Sequence, residues 1–172
     1  MPNVPDKINM YNVYKTDGNK LLGLSGEITL PDLEAITSEI EGAGLLGPIE
    51  TAAVGQFAAM QMEIPFRTIL EDLTDMMDPT KTVGLTLRGS QQELDGVGDI
   101  KFVGIRVVIR GQFLGLTGGT LKQGEGTGSK IKLGLTYYLL EYDGKPFNEL
   151  DKLNGVYRVN GKDVLAEARA LC

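Results

Sequence analysis

The 172-residue chain contains no histidine and no tryptophan, and its single cysteine is the last residue. Without histidine, Ser-His and Cys-His nucleophile pairs, imidazole proton transfer and most zinc centres are excluded. A lone cysteine cannot form a disulfide within the chain. Paired carboxylates remain as acid–base candidates, but nothing around them indicates the burial that tunes catalytic acids. These acidic residues, on the polar side of a predicted helix, are Glu71, Asp72, Asp75 and Asp78. We expect no enzyme, no cofactor and no metal site.

Long apolar runs are also missing, since no segment approaches the ~20 residues that a membrane-spanning helix needs. The stretch MPNVPDKINMYNVY lacks the basic start and apolar run of a secretion signal, so we expect a soluble protein made inside the cell. Basic side chains number 17 against 23 acidic ones, which gives a formal net charge of −6. Because phosphate affinity depends on Lys and Arg, we expect no electrostatic attraction to nucleic acid or to anionic membranes.

Glycine is abundant, with 23 residues and no collagen-like period. Five of these glycines lie in GGTLKQGEGTGSK, residues 118–130. A phosphate-binding loop needs Lys and then Ser or Thr directly after its last glycine. Here Ser129 precedes Lys130, and the next residue is Ile131. The stretch does not fit that motif.

Alternating apolar residues flank this stretch on both sides, which is the period of a half-buried strand. Before it the apolar residues are Val103, Ile105, Val107, Ile109 and Phe113, and after it they are Ile131, Leu133, Leu135, Tyr137 and Leu139. The two runs predict a long hairpin that the glycine-rich stretch connects as a wide, flexible loop.

The rest of the chain predicts further strands and a single helix. The predicted strands are residues 8–15, 20–30, 36–41, 57–64, 83–87 and 156–159. Helical spacing of apolar residues follows Pro65 and ends before Pro79, which predicts one amphipathic helix. The chain length indicates one domain, residues 1–172. The fold class is therefore mainly β, a small sandwich or barrel with a helix packed on it.

Residues 42–55, GAGLLGPIETAAVG, show no period and contain several glycines and a proline. The pattern predicts a long loop, and long loops in compact domains are commonly functional or disordered. Its apolar residues Leu45, Leu46 and Ile49 have no evident place in a core. They favour a contact site over a free linker.

Four segments in the later half of the chain carry a family resemblance. They are VVIRG at 107–111, LKQGEGTGSKIKL at 121–133, TYYLLEYDG at 136–144 and ELDKLNGVYRVNGKDVL at 149–165. In this order they resemble the major tail tube proteins of contractile-tailed bacteriophages and related phage-tail-like bacteriocins. The likeness extends more loosely to the opening strands and to FRTILEDL at 66–73. It is weakest over residues 37–58.

The resemblance implies a structural protein in which two packed antiparallel β-sheets lie beside one α-helix. Subunits would form hexameric rings that stack into a hollow tube, with strands of neighbours joined in a barrel around the channel. The implied partners are further copies, a surrounding sheath protein, a baseplate or tube initiator, a tail terminator, and DNA that passes without specific binding, with no membrane anchoring. The implied location is the tail of a virion or of a phage-tail-like particle, assembled from subunits made in the bacterial host cytoplasm.

Two groups of residues are candidates for roles in such an assembly. The candidate contacts between subunits are Leu45, Leu46, Ile49, Lys122, Gln123, Glu125 and Lys130. The candidate channel-facing residues are Ser25, Glu27, Thr29, Lys132 and Thr136. An ordinary solvated face of a sandwich remains the alternative for the second group.

Other functions remain open at this stage. The same tube could belong to a bacteriocin-like particle that carries no DNA and kills by depolarising the target membrane. A type VI secretion tube has a similar fold, but the segments from KQGE to YDG argue against it. A monomeric ligand-binding β-barrel would need an enclosed apolar cavity, for which the chain offers few aromatic side chains.

Overall fold

A computed structural model describes residues 3–172. Alternation of apolar and polar residues produces antiparallel strands along most of this range. The strands are β1 (Val4–Lys15), β2 (Lys20–Leu21), β3 (Ala35–Ile40), β4 (Ile49–Phe57), β5 (Met60–Pro65), β6 (Val83–Leu94), β7 (Ile100–Thr117), β8 (Lys130–Tyr142), β9 (Lys145–Asp151), β10 (Val156–Val159) and β11 (Lys162–Asp163). The helices are α1 (Glu71–Asp75) and α2 (Ala166–Ala170). The mainly β, antiparallel fold class is confirmed.

Nine strands form one open sheet in the order β11-β10-β9-β8-β7-β6-β1-β2, and β5 pairs with the first half of β8. Met62 on β5 and Val13 on β1 belong to the same buried core, although three strands separate them. The sheet must therefore curl around its apolar face. Phe66, Leu73 and Met76, from the segment that follows β5, belong to the same core. The second sheet is the two-stranded hairpin β3–β4.

The predicted long hairpin is confirmed as β7–β8, joined by residues 118–129. Its buried parity changes along β8, because Arg110 pairs with Tyr137 while Gly111 pairs with Leu135. Thr136 is the extra residue of a β-bulge, and a bulge shifts every later side chain to the other face. The expectation that Tyr137 and Leu139 face the core was therefore wrong. Tyr138 is buried in their place.

The predicted helix from Pro65 is much shorter in the structure. Pro65 ends β5, and its carbonyl oxygen accepts a hydrogen bond from the amide of Ser25 at 3.1 Å. The next two residues, Phe66 and Arg67, donate their amides to Ser129 and Gly23 at 2.7 and 2.8 Å. Because these backbone groups bond across to other segments, the helix begins only at Glu71. The structure also contains the short helix α2, Ala166–Ala170.

Two further predicted boundaries change. The strand expected over 20–30 ends at Leu21, since Gly23 has a φ of +78° that ends extended pairing. The loop expected over 42–55 is only half a loop, because β4 begins at Ile49 and pairs with β3. Ala52 and Ala53 weaken the apolar alternation of β4, so its strand pattern is faint in the sequence.

Candidate self-association surfaces

The β3–β4 hairpin projects from the main sheet and carries three of the predicted contact residues at its tip. Leu45 and Leu46 lie in the connection between the strands, Leu46 is fully exposed, and Ile49 is the first residue of β4. Only the base of the hairpin is anchored. There, the ring of Phe57 packs edge-to-face on Tyr157 at 5.0 Å, and the Lys152 Nζ donates to the carbonyl of Ala58 at 2.6 Å.

The two faces of this hairpin differ in chemistry. Ile40 pairs with Ile49, so one face carries an apolar pair, with Ser38 and Thr51 as the next pair on that face. Glu39 pairs with Glu50, so the other face carries two carboxylates directly opposite each other. An isolated two-stranded hairpin is marginally stable, and like charges in a cross-strand pair destabilise it further. A surface that covers this hairpin would therefore stabilise it.

The glycine-rich loop is pinned at its neck but exposed at its tip. The Thr120 amide donates to the Thr127 carbonyl at 2.8 Å, and the buried Ser129 hydroxyl donates to the Gly118 carbonyl at 2.9 Å. Lys122 forms an ion pair with Glu125 at 2.5 Å, with Gln123 between them. These three predicted contact residues thus share one exposed turn. Lys130, the fourth, lies on β8 instead, 3.5 Å from Glu63.

Four of the five predicted channel-facing residues lie in one neighbourhood. Ser25, Glu27 and Thr29 line an open cavity of about 260 Å³ together with Glu63 and Lys130. Lys132 is the cross-strand partner of Glu63, which places it beside this cavity. Thr136, the fifth, lies four residues further along β8, where its hydroxyl donates to the Arg110 carbonyl at 3.3 Å.

A second projecting element was not predicted. The first half of β1, the end of β6 and the start of β7 extend beyond the core as a three-stranded extension. Opposite residues in an antiparallel pair share a face, so the row Val4–Leu94–Ile100 lies on one side together with Phe102. All four are exposed. The sequence signal was available, because apolar residues occur at both parities, Ile100 and Phe102 at one and Val103 and Ile105 at the other, as expected of a strand covered on both faces.

Asp95 holds the tip of this three-stranded extension together. Its carboxylate accepts the amides of Val97 and Asp99 at 2.9 and 3.0 Å and pairs with Lys101 at 3.1 Å. These partners, the Val97 amide first, lower the pKa of Asp95 from 3.8 to about 2. The ionised carboxylate is therefore the form that the folded turn prefers.

We expect the contribution of this charge to disappear in acid. The folded pKa of Asp95 lies below its ordinary value, so its stabilisation is full above pH 4 and is lost as the pH falls towards 2. Melting temperatures of the wild type and of Asp95→Asn should differ at pH 6. That difference should shrink between pH 4 and pH 2. A constant difference over this range would contradict the assignment.

Three of the four acidic residues considered for catalysis, Asp72, Asp75 and Asp78, are engaged in ion pairs. Lys15 binds Asp72 at 2.6 Å and lies 3.8 Å from Asp75, and Lys81 binds Asp78 at 3.1 Å. Within residues 3–172 no group of three or more His, Cys, Asp or Glu side chains is arranged to hold a metal ion. Over the same described range, no helix has the length and apolar character to cross a membrane.

The geometry defines a mainly β structural subunit with two projecting, partly apolar elements. Comparison with known proteins then gives the family. The chain belongs to the phage tail tube protein FII family, whose model matches residues 5–171. Its members are tail tube structural proteins, as the resemblance implied.

Two curated relatives match over nearly their whole length. The tail tube protein of Escherichia phage P2 is 32% identical over 171 residues, which covers 96% of each chain. The major tail tube protein of Serratia phage KSP20 is 27% identical over 161 residues, covering 94% of this chain and 91% of the relative. Among solved structures, a chain of the anti-feeding prophage baseplate aligns with a TM-score of 0.41 at 14% identity. That alignment covers 77% of this chain and 89% of the other.

Proposed function

We propose that this protein polymerises as hexameric rings, which stack to form the inner tube of a contractile phage tail and a conduit for DNA during ejection. The observation that carries the proposal is the projecting hairpin β3–β4, whose Ile40–Ile49 pair and tip leucines are exposed, with no cover in residues 3–172 of their own subunit. In a tail tube protein, we infer that further copies of the chain cover this hairpin.

Open strand edges support ring formation. β2 covers β1 only at Val13 and Tyr14, so the outer edge of residues 4–12 has no strand partner among the described residues. Over most of its length, the outer edge of β5 also has no strand partner among the described residues. Unpaired edges invite pairing with another chain, and pairing that closes by rotation gives a ring without free edges.

The exposed tips are the proposed stacking contacts between rings. Leu45, Leu46 and Ile49 supply apolar contact, and the turn that holds Lys122, Gln123 and Glu125 supplies polar contact. Lys130 lies at the rim of the cavity described above and is a proposed contact with a neighbour within the ring. Five residues are proposed to face the channel: Ser25, Glu27 and Thr29, which line that cavity, Lys132 beside it, and Thr136 further along β8.

An inner tube of a contractile tail contacts other tail proteins, which are the proposed partners. They are the sheath, a baseplate or initiator complex, and a terminator, with assembly from subunits made in the host cytoplasm. The net charge of −6 supports a channel through which DNA passes without specific binding, because like charges repel.

Native mass spectrometry of the purified protein at rising concentration, with and without a tail-initiating preparation, tests the ring. We expect assemblies whose masses are multiples of six subunits. Assemblies with another subunit number, or monomers under every condition, would contradict the proposal.

A further inference from the structure

The outer face of the main sheet holds two arginines that the family assignment does not explain. Arg88 on β6 and Arg110 on β7 line one open cavity of about 440 Å³, together with Tyr14 and Thr86. The guanidinium of Arg88 lies over the ring of Tyr14 at 5.4 Å, and that of Arg110 lies over Tyr137 at 3.9 Å. Stacking on an aromatic ring fixes a guanidinium while its N–H groups remain free to bind an anion.

Neither arginine forms an ion pair with a carboxylate anywhere in residues 3–172. Arg110 feels the carboxylate of Asp151 only at longer range. Arg88 also stands directly opposite Arg106, a like-charge cross-strand pair, although Arg106 is neutralised by Glu141 at 2.8 Å. The cavity therefore offers two guanidinium groups without an ion-pair partner in the described residues, and guanidinium groups bind carboxylate or phosphate oxygens well.

The chain itself contains a matching anionic surface. Residues 21–66 include no lysine and no arginine. Their acidic residues are Glu27, Asp32, Glu34, Glu39, Glu41, Glu50 and Glu63. Glu39 and Glu50 stand opposite each other on the projecting hairpin, and Glu50 is held by the Thr37 hydroxyl at 2.7 Å. The hairpin thus presents a like-charge pair of the opposite sign to the arginines.

We propose that the acidic face of the β3–β4 hairpin of one copy docks on the Arg88–Arg110 cavity of the next copy. The two guanidinium groups would offset the repulsion between Glu39 and Glu50, which stand directly opposite each other. The two surfaces differ, so the contact is head-to-tail, which is the kind that closes into a ring. This inference rests on the proposed function and names its electrostatic contact. We favour the acidic hairpin over DNA phosphate as the occupant because every copy of the chain carries one such hairpin and one such cavity.

Charge reversal with mixing tests the contact. The first variant is Arg88→Glu with Arg110→Glu, and the second is Glu39→Lys with Glu50→Lys. We expect each variant alone to lower the sedimentable tube yield at least ~10-fold, since like charges across an interface are strongly unfavourable. An equimolar mixture of the two should recover most of the yield, because each variant's hairpin then matches the other's cavity and rings can alternate.

Circular dichroism and melting curves of each variant confirm that the subunits remain folded, since all four substituted side chains are exposed. Recovery of the tube yield when the two variants are mixed supports the contact, even if a substitution slightly changes the stability of the subunit. Normal tubes from either variant, or no recovery on mixing, would overturn it. Normal tubes of the arginine variant with altered DNA ejection would instead place the arginines in the channel and also overturn it. Wild-type protein that forms no tubes with an initiator would refute the proposed function itself.

Discussion

Replacing the hairpin tip leucines, as Leu45→Asp with Leu46→Asp, should abolish tube growth while the subunit stays folded. Both side chains are exposed in the subunit, so their loss removes no core contact. Burial of a leucine contributes about 1.5–3 kcal/mol, so the pair is worth about 3–6 kcal/mol at each stacking contact. Such a loss lowers the association constant by a factor of about 100 or more. Sedimentation of tubes formed with an initiator measures the effect.

A conservative change at the same two positions provides the control. Leu45→Met with Leu46→Met keeps the apolar surface and should leave tube yield near the wild-type value. Unaltered melting of both variants would show that the effect lies in assembly. Normal tube growth by the aspartate variant would remove this loop from the stacking contact.

Gly111→Val should cause a large loss of subunit stability. Gly111 is buried on β7 beside the β-bulge at Thr136, and a Cβ there would lie 2.4 Å from the carbonyl oxygen of Gly134. That oxygen belongs to the backbone of the neighbouring strand, so the side chain can be accommodated only if the strands separate. Overpacking of a core costs about 1–3 kcal/mol, and a backbone clash places this change at or above the upper end. Chemical denaturation measures it.

Gly104→Val on the same strand is the matched control. A Cβ at Gly104 meets no atom within 4 Å, so the same substitution introduces no clash there. Valine has a higher strand propensity than glycine, which predicts an unchanged or slightly raised stability. Equal destabilisation by both substitutions would show that the close approach at Gly111 is not the cause.

The sequence predicts the β7–β8 hairpin clearly, because one parity is apolar on both strands up to the bulge. It does not predict the bulge itself. Tyr137, Tyr138, Leu139 and Leu140 are apolar or aromatic at both parities, so no pattern shows where the buried face changes. The position of Thr136 follows only from the register with Arg110 and Gly111.

The helix was overestimated for a related reason. Apolar residues from Phe66 onwards keep helical spacing, but Ile69 is exposed while Phe66 is fully buried. Pro65 accepts a hydrogen bond from Ser25, and Phe66 and Arg67 donate to Ser129 and Gly23; these bonds override the local preference for helix. These partners are distant in sequence, and their contribution appears only in the folded chain.

Some of the candidate surfaces could be predicted from the sequence and others could not. The exposed tip at Leu45 and Leu46 could be found from the sequence, since apolar residues without period stand among glycines. The cavity of Arg88 and Arg110 could not, because it joins side chains of β1, β6, β7 and β8 through their register. A cross-strand pair such as Glu39 and Glu50 also requires the register of its hairpin.

Electron microscopy of the purified protein, at rising concentration and with a tail-initiating preparation, shows directly whether the subunits build a tube. We expect hollow tubes built of stacked rings with sixfold symmetry. Monodisperse subunits under every condition, with the initiator present, would contradict it.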